Sequence, residues 1–310
     1  MALSRLLSVG LLLLLAPLPC NGRWRGKGKG GGRGGQSAPA TPATHDFDSS
    51  DCPNCMSVVM RLLQPGPRGC PAANATIVKS SNAGRVPTAY CDTLLPKKRA
   101  CIAYSFGLEG TWDFDKVRTR AAHERSARAH RRASCSQHQT RARANAQAMV
   151  SKGCRVLSFD PLCCGGAHRM GPSHDFIPVG LHTYDGLADS DDPARPNTTF
   201  PVLSLRTIMT SYEHPRIDVL RLKVGSNHEW KVLKNLVNTG TLGDIRQLSL
   251  HVRMEDRTMW EEYRTILNGV RSAGFHPYYA MRQTGANYLK VQEGSNQLYS
   301  AYEMSYGNVL

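Results

Sequence analysis

Short apolar runs, each punctuated by glycine or an acid, organise the second two-thirds of the chain. Residues 101–106 form one such run and end at Gly107-Leu108-Glu109-Gly110, the pattern of a buried strand followed by a tight turn. A second run, 154–160, ends in Asp160; a third covers 176–181, and clear strand patterns follow at 217–224 and 247–252. Helical stripes lie between and after them. Leu205, Ile208 and Met209 share a face within 203–212, and Trp230, Leu233 and Leu236 within 229–237, with Gly240 just past the end. Over 259–273 the apolar positions Trp260, Tyr263, Ile266/Leu267 and Val270 recur at helical spacing, and Gly274 closes the stretch. The tail, 275–306, is rich in Tyr and alternates like a terminal antiparallel pair. Alternation of strand and helix over 101–310 predicts an α/β domain: a doubly wound, mostly parallel sheet covered by helices on both faces, with a C-terminal antiparallel element.

The preceding residues read differently. Residues 1–22 carry one cation, Arg5, before an apolar run from Leu6 to Leu18 and then small residues, the pattern of a secretory signal. The run is shorter than the roughly 20 residues of a membrane-spanning helix, so a cleaved signal is expected, with an uncleaved anchor as the alternative. Residues 23–51 are Gly/Arg-rich and then Ser/Ala/Pro/Thr-rich; they cannot bury a core and are expected to form a disordered stalk. Residues 52–100 hold one short helical candidate, 56–63, among Pro, Gly and Cys, and read as a small cross-linked cap on the 101–310 domain. Within that domain, Asp113 and Asp115 open a possible helix. Residues 118–146 then offer almost no large apolar side chain and read as an exposed insertion or as retained non-coding sequence.

Charge follows the same division. The chain has 39 Lys+Arg against 24 Asp+Glu, a formal +15. Segment 23–33 contributes +5 and segment 118–146 contributes +7, which leaves only +3 on everything else. A nucleic-acid-binding domain carries its charge on a folded face, so this distribution argues against specific nucleic-acid binding and for, at most, weak polyanion binding through two attachments. The hydrophobic content of 41% excludes a wholly disordered chain. If Cys20 leaves with a signal, nine cysteines remain. With the sequons Asn74-Ala75-Thr76 and Asn197-Thr198-Thr199 they fit a lumenal or extracellular glycoprotein. Cys52 and Cys55 have redox spacing, but no thioredoxin-like strand precedes them; stapling of the N-terminal region with Cys70 and Cys91 is the expectation. No second Cys/His pair stands at finger spacing, so no metal site is expected.

Two features suit a nucleoside. The glycine turn at Gly107, Glu109 and Gly110 lets backbone approach a ligand, and Asp160 at the end of the next strand can accept both hydroxyls of a ribose. There is no G-x-G-x-x-G after a strand and no Walker loop, which disfavours pyrophosphate ligands. His182 or His228, each just past an apolar run, is a candidate base, with Tyr184 and Asp185 beside the first. A solvated loop histidine is the ordinary alternative for both. Glu229 reads as a helix cap and Trp230 as core.

These blocks carry a resemblance. Residues 104–110 (YSFGLEG), 153–161 (GCRVLSFDP), 217–220 (IDVL) through 229–236 (EWKVLKNL), and Gln247-Leu248 resemble, in order and spacing, the methyltransferase-like protein 24 group. That group is similar to FkbM-type S-adenosylmethionine-dependent methyltransferases. The resemblance implies a Rossmann-like methyltransferase fold with S-adenosylmethionine held by the first glycine turn and Asp160, and adenine near Pro161 and Leu162. The methyl acceptor it leaves open: a glycan, a protein side chain or a small molecule. The chain also departs from the group. Relatives carry Asp and Glu where this chain has Lys223-Val224-Gly225-Ser226-Asn227-His228, and a Glu and His where it has His251 and Arg253. Two functions are therefore expected: a methyltransferase of the secretory pathway or, if the lost acids were essential, a non-catalytic interaction module.

Overall fold

The computed structural model describes residues 55–70, 74–78, 88–97, 99–107, 149–161, 166–190, 198–225, 228–254, 256–282, 290–293, 296–299 and 301–309. The signal, the stalk, the possible helix after Asp113 and the insertion at 118–146 lie outside them. In chain order the elements are α1 (Cys55–Leu62), β1 (Ala75–Val78), β2 (Thr88–Cys91), β3 (Cys101–Phe106), β4 (Cys154–Phe159), β5 (His168–Gly171), β6 (His174–Ile177), β7 (Gly180–Leu181), β8 (Gly186–Asp189) and β9 (Thr199–Leu203). Then follow α2 (Leu205–Ser211), β10 (Val219–Leu222), α3 (His228–Asn238), β11 (Gln247–Arg253), α4 (Trp260–Ser272), β12 (Phe275–Arg282), β13 (Lys290–Glu293), β14 (Asn296–Tyr299) and β15 (Ala301–Asn308).

The expected doubly wound, Rossmann-like α/β arrangement is not what forms. Strand predominates among the described residues: a mixed eight-stranded sheet runs β12-β15-β11-β10-β3-β4-β6-β5, and β1-β2, β13-β14 and β7-β9-β8 make smaller sheets. Two physical causes account for the difference. After β4 no crossover helix is described; the chain makes the antiparallel hairpin β5-β6 and then the separate sheet β7-β9-β8. The apolar run at 176–181, expected as one strand, is split at Pro178, which cannot donate to a ladder, so β6 ends at Ile177 and β7 starts at Gly180. Secondly, β2 lies against one face of the main sheet over β11 and β15. Gln247 on β11 accepts the Cys91 amide at 2.7 Å and returns its own amide to the Cys91 carbonyl at 3.0 Å. Ser305 on β15 donates to the Ala89 carbonyl at 2.7 Å.

Helices form where the stripes predicted them. Asp185 accepts from the Ser204 amide and from the Thr207 hydroxyl, both at 2.7 Å, while the Ser204 hydroxyl caps α2 through the Thr207 amide. Trp230 of α3 stacks on Tyr263 of α4 with ring centres 4.3 Å apart, and its indole N–H donates to the Arg253 carbonyl at 2.6 Å. Disulfides join Cys70 to Cys91 and Cys101 to Cys154, the latter across registered positions of β3 and β4. Cys70 and Cys91 were expected in an N-terminal staple; the Cys101–Cys154 bond joins two neighbouring strands of the main sheet. These bonds belong to a chain that folds in an oxidising secretory or extracellular environment. No helix among the described residues is long and apolar enough to cross a membrane.

Candidate functional site

Parallel strands β3, β4 and β10 lie side by side, so their carboxyl ends open at one edge of the sheet. The sequence candidates gather there. Gly107 follows β3 with φ +77°, and its amide donates to the Phe159 carbonyl at 3.0 Å, immediately before Asp160. A Cβ on Gly107 would fall 1.6 Å from the Lys223 carbonyl oxygen, which follows β10. The glycine is thus required by the contact between two strand ends as well as by its φ angle. This revises the sequence argument, which assigned the backbone approach at Gly107 to a ligand. Glu109 and Gly110 lie outside the described residues.

Asp160 is half-buried, and its amide donates to the Ile177 carbonyl at 3.2 Å. Pro161 packs on Gly180 of β7, its Cγ 3.2 Å from where a Cβ would stand. Two residues on, the His182 ring lies 5.3 Å from the ring of His228, which opens α3, and 4.1 Å from that of Tyr184. His228 donates its amide to the Gly225 carbonyl at 2.9 Å, and Gly225 stands two residues past Lys223. Contacts and short steps along the chain together link Asp160 and Pro161 to Gly180 and His182, His182 to His228, His228 to Gly225 and Lys223, and Lys223 to Gly107, whose amide meets the residue before Asp160. The two histidines, singled out separately in the sequence, belong to one rim, and both are half-buried instead of fully solvated.

Glu229 also belongs to this rim. It is 1% exposed, and its Oε1 accepts the Gly225 amide at 2.8 Å, the capping role expected of it. Its other oxygen, Oε2, is buried and has no hydrogen-bond partner among the described residues. An acceptor left in that state costs about 1–3 kcal/mol, which favours a donor arriving there. Tyr184 is exposed, and Asp185 is committed to the cap of α2, where hydrogen bonds from Ser204 and Thr207 outweigh the effect of burial and lower its pKa.

A second set of polar residues was not singled out for chemistry. Ser158, Ser105, Arg221, Ser249 and Ser305 occupy registered positions across β4, β3, β10, β11 and β15, forming one polar row on the face beneath β2. One row further on, His251 opposes Glu303, with Nδ1 3.4 Å from the carboxylate, and Thr88 of β2 donates to the same carboxylate at 3.2 Å. Burial alone would raise the Glu303 pKa; the hydrogen bond from His251 and the positive Arg221 and Lys223 outweigh it and hold the carboxyl below its ordinary value. The signal was present in the alternation of Gln247, Ser249, His251 and Arg253 with Leu248, Leu250 and Val252. No group of three or more metal-ligating side chains is found among the described residues.

No protein-family model matches the chain, and no curated protein matches it.

Proposed function

We propose that the chain is an S-adenosylmethionine-dependent methyltransferase of the secretory pathway, with its site at the rim formed by Gly107, Asp160, His182, His228 and Glu229. The observation that supports the reading is that the strand ends carrying Gly107 and the half-buried Asp160 are linked, through Pro161–Gly180 and Lys223–Gly225, to the His182–His228 ring pair. A carboxylate at Asp160 fits a ribose diol, because two hydroxyl donors satisfy its two oxygens. The buried Oε2 of Glu229 fits an ammonium donor of an amino-acid moiety. The cofactor would supply an electrophilic methyl group.

The chain's own residues would then orient and deprotonate the acceptor. An imidazole of His182 or His228, each half-buried, takes the proton from an acceptor hydroxyl or amine. Tyr184, exposed beside His182, offers an aromatic surface for the acceptor. The acceptor, a glycan, protein side chain or small molecule, reaches the site from that side. Residues 1–22 bring the chain into the secretory pathway as a signal or as a membrane anchor. A second reading, a non-catalytic interaction module, is favoured by the stretch from Lys223 to His228 lacking the acids that the resembling group carries there.

The test is a calorimetric titration of the full chain with S-adenosylhomocysteine. Binding is expected, and Asp160→Asn should weaken it at least tenfold; no heat of binding by the folded wild type sinks both the cofactor and the enzyme. Binding without methyl transfer to any offered acceptor class selects the interaction module.

A further inference from the structure

We infer that the turn after α1 and the junction of α4 with β12 bind a sulfate group of an acidic glycan through Arg68, Arg271 and His276. The inference goes beyond the methyltransferase reading and does not depend on it.

Backbone contacts bring the three residues together from separate elements. Residues 64–69 run along the start of β12: the Gly66 amide donates to the Pro277 carbonyl at 2.8 Å, and a Cβ on Gly69 would collide with the His276 carbonyl. Arg68 stands between those two contacts and is exposed. Arg271, also exposed, lies in the last turn of α4, where its carbonyl accepts the Gly274 amide at 3.0 Å as the chain turns into β12. His276 is the half-buried second residue of β12. The turn is fixed in advance of any ligand. Pro65 and Pro67 restrict φ on either side of Gly66, and Cys70, next to Gly69, is bonded to Cys91. A turn held in this way loses little freedom on binding.

Many basic side chains elsewhere have an acid beside them: Arg155 and Arg169 share Asp175, Lys152 meets Asp92, Lys234 meets Glu262 and Arg264 meets Glu261. Neither Arg68 nor Arg271 has an ion pair or a side-chain hydrogen bond among the described residues. Burial, and after it the positive charge of Arg271 and Arg68, holds the His276 imidazole below its ordinary pKa. A cation at a helix C-terminus needs no ligand to explain it, which covers Arg271 but not Arg68 on its separate turn. Two guanidinium groups match the oxygens of a sulfate ester, and the imidazole adds a donor. The oxidising environment decides the source. Sulfated glycans lie on that side of the membrane, whereas anionic lipids enrich the cytoplasmic leaflet.

Segments 23–33 and 118–146 also carry positive charge, so the experiment reads the site itself and not total affinity. His276 is followed by NMR in the full chain from about pH 5 to 8, with and without a fully sulfated heparin hexasaccharide, whose sulfates stay ionised throughout. Bound sulfate offsets the two guanidinium charges, so the His276 pKa should rise. That of His214, lowered by burial and then by Arg155, should stay where it is. Arg68→Gln with Arg271→Gln should weaken the hexasaccharide roughly fivefold and abolish the ligand-dependent rise. Arg264→Gln, which breaks only the pair with Glu261, should do neither. An unchanged His276 pKa in the wild type overturns the proposal, whatever the variants do, because binding then belongs to the two basic segments. An equal rise with the desulfated hexasaccharide overturns the role of sulfate, and an equal rise with phosphatidylserine vesicles overturns the glycan.

Discussion

The two faces of the main sheet are built from the same strands, and towards the carboxyl ends of β3, β4 and β10 they differ in what they bury. On one face, Leu157, Tyr104, Leu220, Leu248 and Tyr306 make a registered row, followed by Phe159, Phe106, Leu222, Leu250 and Met304. All ten are buried, and Phe106 stacks on Phe159 with centres 4.5 Å apart. Its polar atoms are few; the Tyr104 hydroxyl meets Nδ1 of His214 at 2.8 Å, and burial pushes the Tyr104 pKa up. The opposite face carries the serine row with Arg221, and then His251 and Glu303. One face is a core whose energy scales with apolar area. The other joins an apolar cluster around Ala103 and Val156 to a polar row in which removing a partner is costly.

The comparison breaks most severely on the apolar side. Phe159 is 1% exposed and touches Tyr104, Phe106 and Tyr212, so Phe159→Ala should cost about 3–5 kcal/mol in chemical denaturation. A loss under about 1 kcal/mol would show that this face is not the core. On the polar side, Glu303→Gln should cost about 2–3 kcal/mol at pH 7, because His251 and Thr88 lose a charged acceptor. Since the folded pKa of Glu303 lies below its ordinary 4.5, the contribution is complete above that value and is lost as pH falls through the depressed one. The stability gap between wild type and Glu303→Gln should therefore narrow in urea titrations below pH 4.5 and stay constant above it; a gap widening towards acid would contradict the assignment. Tyr279, whose pKa the same carboxylate helps raise to about 12 after burial, should titrate lower in that variant. The smallest effect belongs to Ser249→Ala. Its hydroxyl is buried without a hydrogen-bond partner among the described residues, so thermal unfolding should be unchanged or shifted up, within about 1 kcal/mol. A clear destabilisation would mean that the hydroxyl already serves the network.

Local pattern was readable where one period dominates. The run at 101–106 coincides with β3, and the stripes containing Leu205, Trp230 and Tyr263 became α2, α3 and α4. The reading failed where punctuation outweighed hydrophobicity, as at Pro178, and where strands met others remote in sequence. Thr88 and Glu303 are separated by 215 positions, and no spacing rule predicts that β2 rather than a helix would cover Glu303. The same holds for the candidate site. Gly107, Asp160, His182 and His228 could each be named from strand ends, but that His182 and His228 face one another depends on β7 pairing with β9 and on Gly225 turning the chain into α3.

By itself the sequence determined the strand at 101–106, the helical stripes of α2, α3 and α4, and where the excess positive charge lies, because these follow from neighbours along the chain. Only the tertiary structure decided that Gly107 is demanded by the Lys223 carbonyl, that Cys101 bonds Cys154, and that a serine row with a buried guanidinium faces β2. Those outcomes depend on strand order and register, and a strand's own residues determine its pleat but not the strand that will lie beside it.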